Sequence, residues 1–352
     1  MTPDGSHCFE IGTAAAFRED KPMIRIAMLS KWHVHAVDYA KQIRQSGKAE
    51  ITCIWDDDAE RGRAWAEELG VDFEGNLDQV LTRSDVDAVI VCTPTTDHEP
   101  VMIAAARAGK HIFTEKVMAT TVEACRNISQ AIQENKIKFC ISYPQLTWPI
   151  AQYAKQLIDN GTLGRITYMR MRTAHGGSLL GWLPDYWYDL EKAGGGAMMD
   201  LGCHPMYTAS YLLGKPCRIA SVFNNSCAPA PVDDNSVSVV EFENKVIAVL
   251  ETSFVSPWSA GCFELLGTEG ALVSVDGVTK VRSTSFAVDG WVIPDKLPDN
   301  LPMPIQLWLD GISSGSPIPF DETRGEALTE LMENAYRSDR EQRIMTFGGP
   351  CI

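Results

Sequence analysis

The chain has 352 residues, 45% of them hydrophobic and 22% charged, enough apolar material for two cores rather than one. A formal net charge of −15 argues against nucleic acid and anionic membrane surfaces as partners, because the summed field repels both. No apolar run reaches the length of a bilayer span, and the N-terminus lacks the basic start and apolar core of a secretion signal, so a cytoplasmic protein is expected.

Residues 1–22 carry no clear period and read as an N-terminal extension. From Met23 the pattern alternates: the apolar run IRIAML, a helical stretch His35 to Ser46 closed by Gly47, the run EITCIW, and a helical stretch Ala59 to Leu69 closed by Gly70. Apolar runs alternating with amphipathic helices that end in glycine mark βαβ units and a parallel sheet. DAVIVCTP, HIFTEK and KFCIS continue the strands, with helices over Glu99 to Ala108 and Val122 to Asn135 between them. Residues 23–142 therefore read as a dinucleotide-binding, doubly wound domain of Rossmann type, with its ligand crevice at the carboxyl ends of the strands.

After Tyr143 the texture changes. A helix over Trp148 to Asn160, a strand over Arg165 to Thr173 and a glycine-rich segment precede strands such as SVSVVEF, VIAVLETS and FELLG, and a helix from about Thr323 to Ser338 comes late. Alternation of this kind belongs to an antiparallel sheet with one covered face. Residues 143–352 read as an α+β substrate-binding and oligomerisation domain on a large, mostly antiparallel open sheet, following the α/β domain. The ten cysteines are scattered without a CxxC pair, which predicts reduced thiols, Cys53, Cys92 and Cys140 among them inside buried strands.

Candidate cofactor residues sit at strand ends. The first strand runs into Ser30-Lys31-Trp32-His33-Val34-His35 instead of the GxGxxG that lets a backbone approach pyrophosphate; Ser30, Trp32 and His33 are the candidate contacts. An HxH pair invites a metal, but no third ligand stands near it in sequence, so none is expected. Asp56, ending the second strand, is placed to receive the adenosine ribose hydroxyls and to repel a 2′-phosphate, favouring NAD over NADP. A helix N-cap is the alternative duty for the aspartates there. Thr93, Pro94 and His98 follow the fourth strand, and Glu115-Lys116 ends the fifth, where a half-buried ammonium needs a partner or a purpose.

The segment GGGAMMDLGCH sets Gly194, Gly195 and Gly196 before a helix expected to run to Leu213. Asp200 and His204 then lie one turn apart on one face, where a carboxylate stabilises and orients an imidazole acting as general base. The bare glycines would let the helix start lie against a flat cofactor or a sugar ring, or form only a hinge before a helix with a core histidine. Upstream, GWLPDYWY, with Trp187 in it and His175 nearby, offers stacking faces for a sugar, although such clusters also pack cores and subunits.

Together, Asp56, Thr93-Pro94 with His98, Ala108 to His111 leading into Glu115-Lys116, and the glycines with Asp200, Gly202 and His204 resemble the Gfo/Idh/MocA family of nicotinamide-dependent sugar and polyol oxidoreductases. The resemblance runs from about Met23 to the last helix. It implies NAD as cofactor, catalytic roles for Lys116, Asp200 and His204, and hydride transfer to or from a hydroxyl-bearing carbon of a carbohydrate substrate. Lys116, Asp200 and His204 would then also contact the substrate, with Tyr143, His175 and Trp187 as the chain's own further candidate contacts, and the resemblance implies a homodimer or homotetramer. Three features depart from the family pattern: the missing glycine fingerprint, Val117 in place of proline, and Tyr143-Pro144-Gln145-Leu146 where many relatives carry Asn and Arg. An NAD-retaining glycoside hydrolase and a catalytically inactive sugar sensor stay open as alternatives.

Overall fold

The computed structural model describes residues 22–229, 231–258 and 261–348; the extension read over 1–22 lies, except for Pro22, outside the described residues. The first half alternates as its sequence does: β1 (Ile24–Leu29), α1 (Ala36–Ser46), β2 (Ala49–Trp55), α2 (Ala59–Leu69), β3 (Asp72–Phe73), α3 (Leu77–Thr82), β4 (Ala88–Val91), α4 (His98–Arg107), β5 (His111–Thr114), α5 (Val122–Asn135) and β6 (Phe139–Ile141). These six strands are parallel, in the order β3-β2-β1-β4-β5-β6. β4 reads AVIV with every residue buried, the continuous apolar run that a strand covered on both faces needs.

Helix ends follow local chemistry. Asp58 accepts the amides of Glu60 and Arg61 to open α2, and Thr121 accepts that of Ala124 to open α5. Gly47 and Gly70 close α1 and α2 at φ 63° and 68°, a left-handed conformation that costs glycine nothing. After β3 the chain crosses to the other side of β1, so the switch point of the sheet lies at the carboxyl ends of β1 and β4.

The second half contains α6 (Pro149–Asp159), β7 (Ile166–Ala174), α7 (Gly177–Leu180), α8 (Leu190–Ala193), α9 (Cys203–Leu213), β8 (Pro216–Asn224), β9 (Asn235–Phe242), β10 (Ile247–Ser253), β11 (Gly261–Gly267), β12 (Gly270–Val275), β13 (Val278–Ser283), α10 (Pro304–Ser314), α11 (Glu322–Glu341) and β14 (Met345–Thr346). Its sheet has the order β13-β12-β11-β7-β10-β9-β8-β14, antiparallel except where β7 meets β10. Helices α9 and α11 cover one face, while Val222, Val237, Val239 and Ile247 remain exposed. Helix α10 returns to the first sheet and packs on β5, β6 and α1, with the fully buried Trp308 ring 5.6 Å from that of Phe113. Cys53, Cys92 and Cys140 are free and buried. Cys217 on β8 is disulfide-bonded, which corrects the expectation of reduced thiols at that position.

Candidate functional site

The two residues after β5 carry their charges into the interior. Glu115 accepts hydrogen bonds from His35 Nδ1 at 2.9 Å, from the Tyr39 hydroxyl and from the Lys116 amide at 3.0 Å. Burial alone would raise its pKa, but the surrounding His33, His35 and Lys116 outweigh burial and hold the carboxylate well below its ordinary value. His33 and His35 thus do have a third ligand-type neighbour, Glu115, which sequence distance concealed. The ring of His33 disfavours a metal all the same. Its Nδ1 accepts the His35 amide at 3.2 Å, which puts the proton of a neutral imidazole on Nε2, and a protonated nitrogen cannot ligate. Burial drops the His33 pKa to about 3, so the neutral form persists.

Lys116 is 4% exposed. Its Nζ donates to the Asp200 carboxylate at 2.8 Å and to the Asp200 carbonyl at 2.9 Å, leaving one N–H uncommitted. The indole of Trp187 lies 5.8 Å away and closes the other side. Burial by itself would lower the lysine pKa; the charge of Asp200, with Cys203 and Glu115 adding, reverses this and holds the ammonium above its ordinary value. Asp200 responds in kind, burial pushing its pKa up and Lys116 pulling it below normal.

The expected pairing of Asp200 with His204 is corrected. Residues Met198–Gly202 form one turn of π-helix before α9, and the Asp200 carboxylate is bonded to Lys116 instead. His204 Nδ1 lies 2.7 Å from the Tyr207 hydroxyl, which accepts the Gln145 amide at 3.2 Å. The arrangement that satisfies every group has Tyr207 donating to Nδ1, with the proton of the neutral His204 on Nε2. Burial, reinforced by the Lys116 charge, lowers its pKa to about 3. His204 therefore presents a donor, not a protonated ring steadied by a carboxylate. Tyr207, three residues beyond His204 on the same helix, was missed although that spacing was readable.

The glycines also serve another partner than a cofactor or sugar. A Cβ on Gly195 would meet the Tyr336 hydroxyl at 2.0 Å, and one on Gly196 the Asp233 carbonyl at 2.0 Å. The Asp233 carboxylate accepts the amides of Gly196 and Met198 at 2.9 and 2.6 Å, and its carbonyl that of Ala197 at 2.7 Å. The bare backbone docks the π turn and α9 onto the loop before β9 and onto α11.

The loop after β1 is closed on itself. Ser30 adopts φ 73° and its hydroxyl donates to Asp57 at 2.8 Å; the amide of Lys31 is given to Asp56, that of Trp32 to Ser30 and that of His33 to the Cys92 carbonyl. Asp56 is buried beneath Arg61, whose Nε lies 3.1 and 3.0 Å from its two oxygens. A carboxylate so engaged is not the open ribose acceptor expected. Arg61, in the first turn of α2, escaped the sequence reading. Trp32 is buried among Leu183, Trp187 and Phe254 of the second half. His98 turns away from the crevice, its Nδ1 shared between the carbonyls of Val117 and Met118 at 3.0 and 3.2 Å, where it locks the chain after Lys116. Along the crevice, Trp32 Nε1, His33 Nε2, Thr93 Oγ1 and Tyr186 Oη are buried without partners. Four unmatched donors, from the loop after β1, the end of β4 and the segment before α8, fit an acceptor-rich guest such as a dinucleotide, held through side chains more than through loop amides. Thr93, beside Pro94, would be one such contact.

Among the expected substrate contacts, Tyr143 is 1% exposed, stacks on Tyr207 at 4.4 Å and donates to the Arg324 carbonyl at 3.1 Å; it supports the site from behind. His175 stacks on Phe254 at 5.1 Å and lies 4.7 Å from Trp182, while its Nδ1 accepts the Gly177 amide. Trp187 packs on Trp32 and Lys116.

Comparison with known proteins is consistent with this geometry. The family profile described as "Oxidoreductase family, NAD-binding Rossmann fold" matches residues 33–143, and that of the GFO/IDH/MocA C-terminal domain matches residues 151–273. The chain is 29% identical to a 1,5-anhydro-D-fructose reductase of Ensifer adhaerens, over 68% of this chain and 72% of that one. It is 29% identical to a scyllo-inositol 2-dehydrogenase (NAD(+)) of Bacillus subtilis, over 64% and 66%. It spans about two thirds of the length of these curated relatives. A levoglucosan dehydrogenase solved with NADH and levoglucosan superposes with a TM-score of 0.82 at 19% identity, covering 93% of this chain and 100% of that one, a likeness of fold.

Proposed function

Because the chain belongs to the GFO/IDH/MocA oxidoreductase family, we propose that it moves a hydride between NAD and a hydroxyl-bearing carbon of a sugar, polyol or sugar derivative. The observation that carries the reading is the buried Lys116–Asp200 pair at the end of β5, one helical turn from His204. In this reading residues 23–142 hold the cofactor and residues 143–352 the substrate, in a cytoplasmic homodimer or homotetramer joined through the open sheet face. No helix among the described residues is long and apolar enough to cross a membrane.

Bound NAD supplies the hydride acceptor or donor; positioning and proton traffic fall to the chain. Lys116 keeps one N–H for a substrate oxygen and His204 presents Nε2–H, so both stabilise negative charge on that oxygen. Asp200 holds the ammonium charged and aimed. Trp187 and Trp32 keep water from the pair. The resting site is thus loaded to give a proton as a carbonyl is reduced. Oxidation needs a vacant proton acceptor, and the raised Lys116 pKa makes that direction speed up with rising pH while reduction stays flat through neutrality.

A screen of sugars and inositols with NAD, read by absorbance of the reduced cofactor, tests the reading. On any substrate found, Lys116→Met should lower turnover at least about a hundredfold while calorimetry still detects NAD. Undiminished turnover in that variant refutes the assignment.

A further inference from the structure

Between the covered face of the second sheet and helices α6 and α9 lies a cavity of about 410 Å³, and Lys116, Asp200 and His204 are not in its lining. It is not remote from them. Thr208 in its wall lies four residues beyond His204 on α9, about 6 Å along the axis and on the same face. Gln145, also in the wall, gives its amide to the Tyr207 hydroxyl that holds His204. A ligand whose reacting carbon meets Lys116 and His204 would place its next unit here.

The lining states what that unit is. Met171 and Phe263 come from the covered face of β7 and β11, and Trp148, 44% exposed, stands at the rim. Polar groups are few: the Gln145 carboxamide, Thr173, Ser274, whose hydroxyl is bonded to that of Thr279, and the hydroxyl of Thr208, which is buried without a partner. Such a ratio suits a hydroxylated but partly apolar guest. Charge is equally telling. Arg172 belongs to the lining, but alternation along β7 turns its side chain to the opposite face, where it donates to Glu251 at 2.8 Å. Asp276, in the turn that closes the cavity, would repel an anion.

We propose that this cavity is the subsite for the non-reacting end of the substrate, and that this end is a neutral ring or aglycone with an apolar face, not a phosphate or carboxylate. The inference rests on the redox reading above. Calorimetry of the NAD-loaded protein with phenyl β-D-glucopyranoside, D-glucose and glucose 6-phosphate tests it, alongside Trp148→Ala and Thr208→Val. The phenyl glucoside should bind at least about tenfold tighter than glucose, glucose 6-phosphate no tighter than glucose, and Trp148→Ala should erase the phenyl preference while Thr208→Val changes the affinity of the phenyl glucoside and leaves that of glucose as it was. Absence of phenyl glucoside binding, a preference untouched by both variants, or a preference for the phosphate overturns the proposal. Turnover of sugars without a phenyl preference sinks the cavity assignment alone; phenyl binding in a protein that never reduces NAD sinks the redox reading alone.

Discussion

Replacing Asp200 by Asn removes a charge while preserving shape. The Lys116 ammonium keeps the Asp200 carbonyl at 2.9 Å, and a carboxamide oxygen stands where the carboxylate oxygen lay at 2.8 Å. What it loses is its counter-ion, at a position 4% exposed. Breaking a buried pair from one side costs about 3–5 kcal/mol, unless the lysine escapes by shedding its proton, which burial favours once Asp200 no longer opposes it. The two routes differ in pH dependence. In the native protein Lys116 sits above its unfolded pKa, so its contribution is complete below about pH 10 and fades only beyond that; Asp200 sits below its own, so its contribution is present above about pH 4 and fades in acid. In the variant the lysine pKa falls below the unfolded value. The folded form then binds fewer protons than the unfolded chain and gains stability as pH rises. Urea unfolding of both proteins should show a gap of about 3 kcal/mol or more at about pH 7, shrinking by about pH 9.5. A gap under about 1 kcal/mol, the scale of an exposed pair, or one that widens with pH, refutes the buried-pair argument.

Two further outcomes follow from the same geometry. Tyr207→Phe removes the hydroxyl that fixes the His204 proton on Nε2; turnover should fall about tenfold to a hundredfold with NAD affinity by calorimetry unchanged, and full activity would show that the tautomer is set elsewhere. Arg61→Ala uncovers the Asp56 carboxylate, so NAD should gain over NADP by about tenfold in competitive titration, whereas a narrowed preference would mean that Arg61 does not mask that acid.

The parallel domain was legible because its signals are local. AVIV announces a strand buried on both faces, and Gly47 and Gly70 close helices within the segment that they end. The candidate site was legible as a set of residues but not as a set of partnerships. Glu115 is clasped by His35 and Tyr39, 80 and 76 positions earlier, and no periodicity reports such a meeting. The Asp200–His204 spacing suggested a pair because an α-helical turn was assumed, and one π turn turned the carboxylate to Lys116. The glycines advertised a close approach without naming its object, a carbonyl and carboxylate at Asp233.

Trp32 leaves the loop of one sheet and is packed among residues belonging to the other half of the chain, touching the same indole that shelters Lys116. The two halves are consequently not interchangeable parts. A chimera that imports a glycine-rich nucleotide loop from a relative would open a hole the size of an indole and unseat Trp187, so any redesign of cofactor preference has to carry the aromatic clasp along with it.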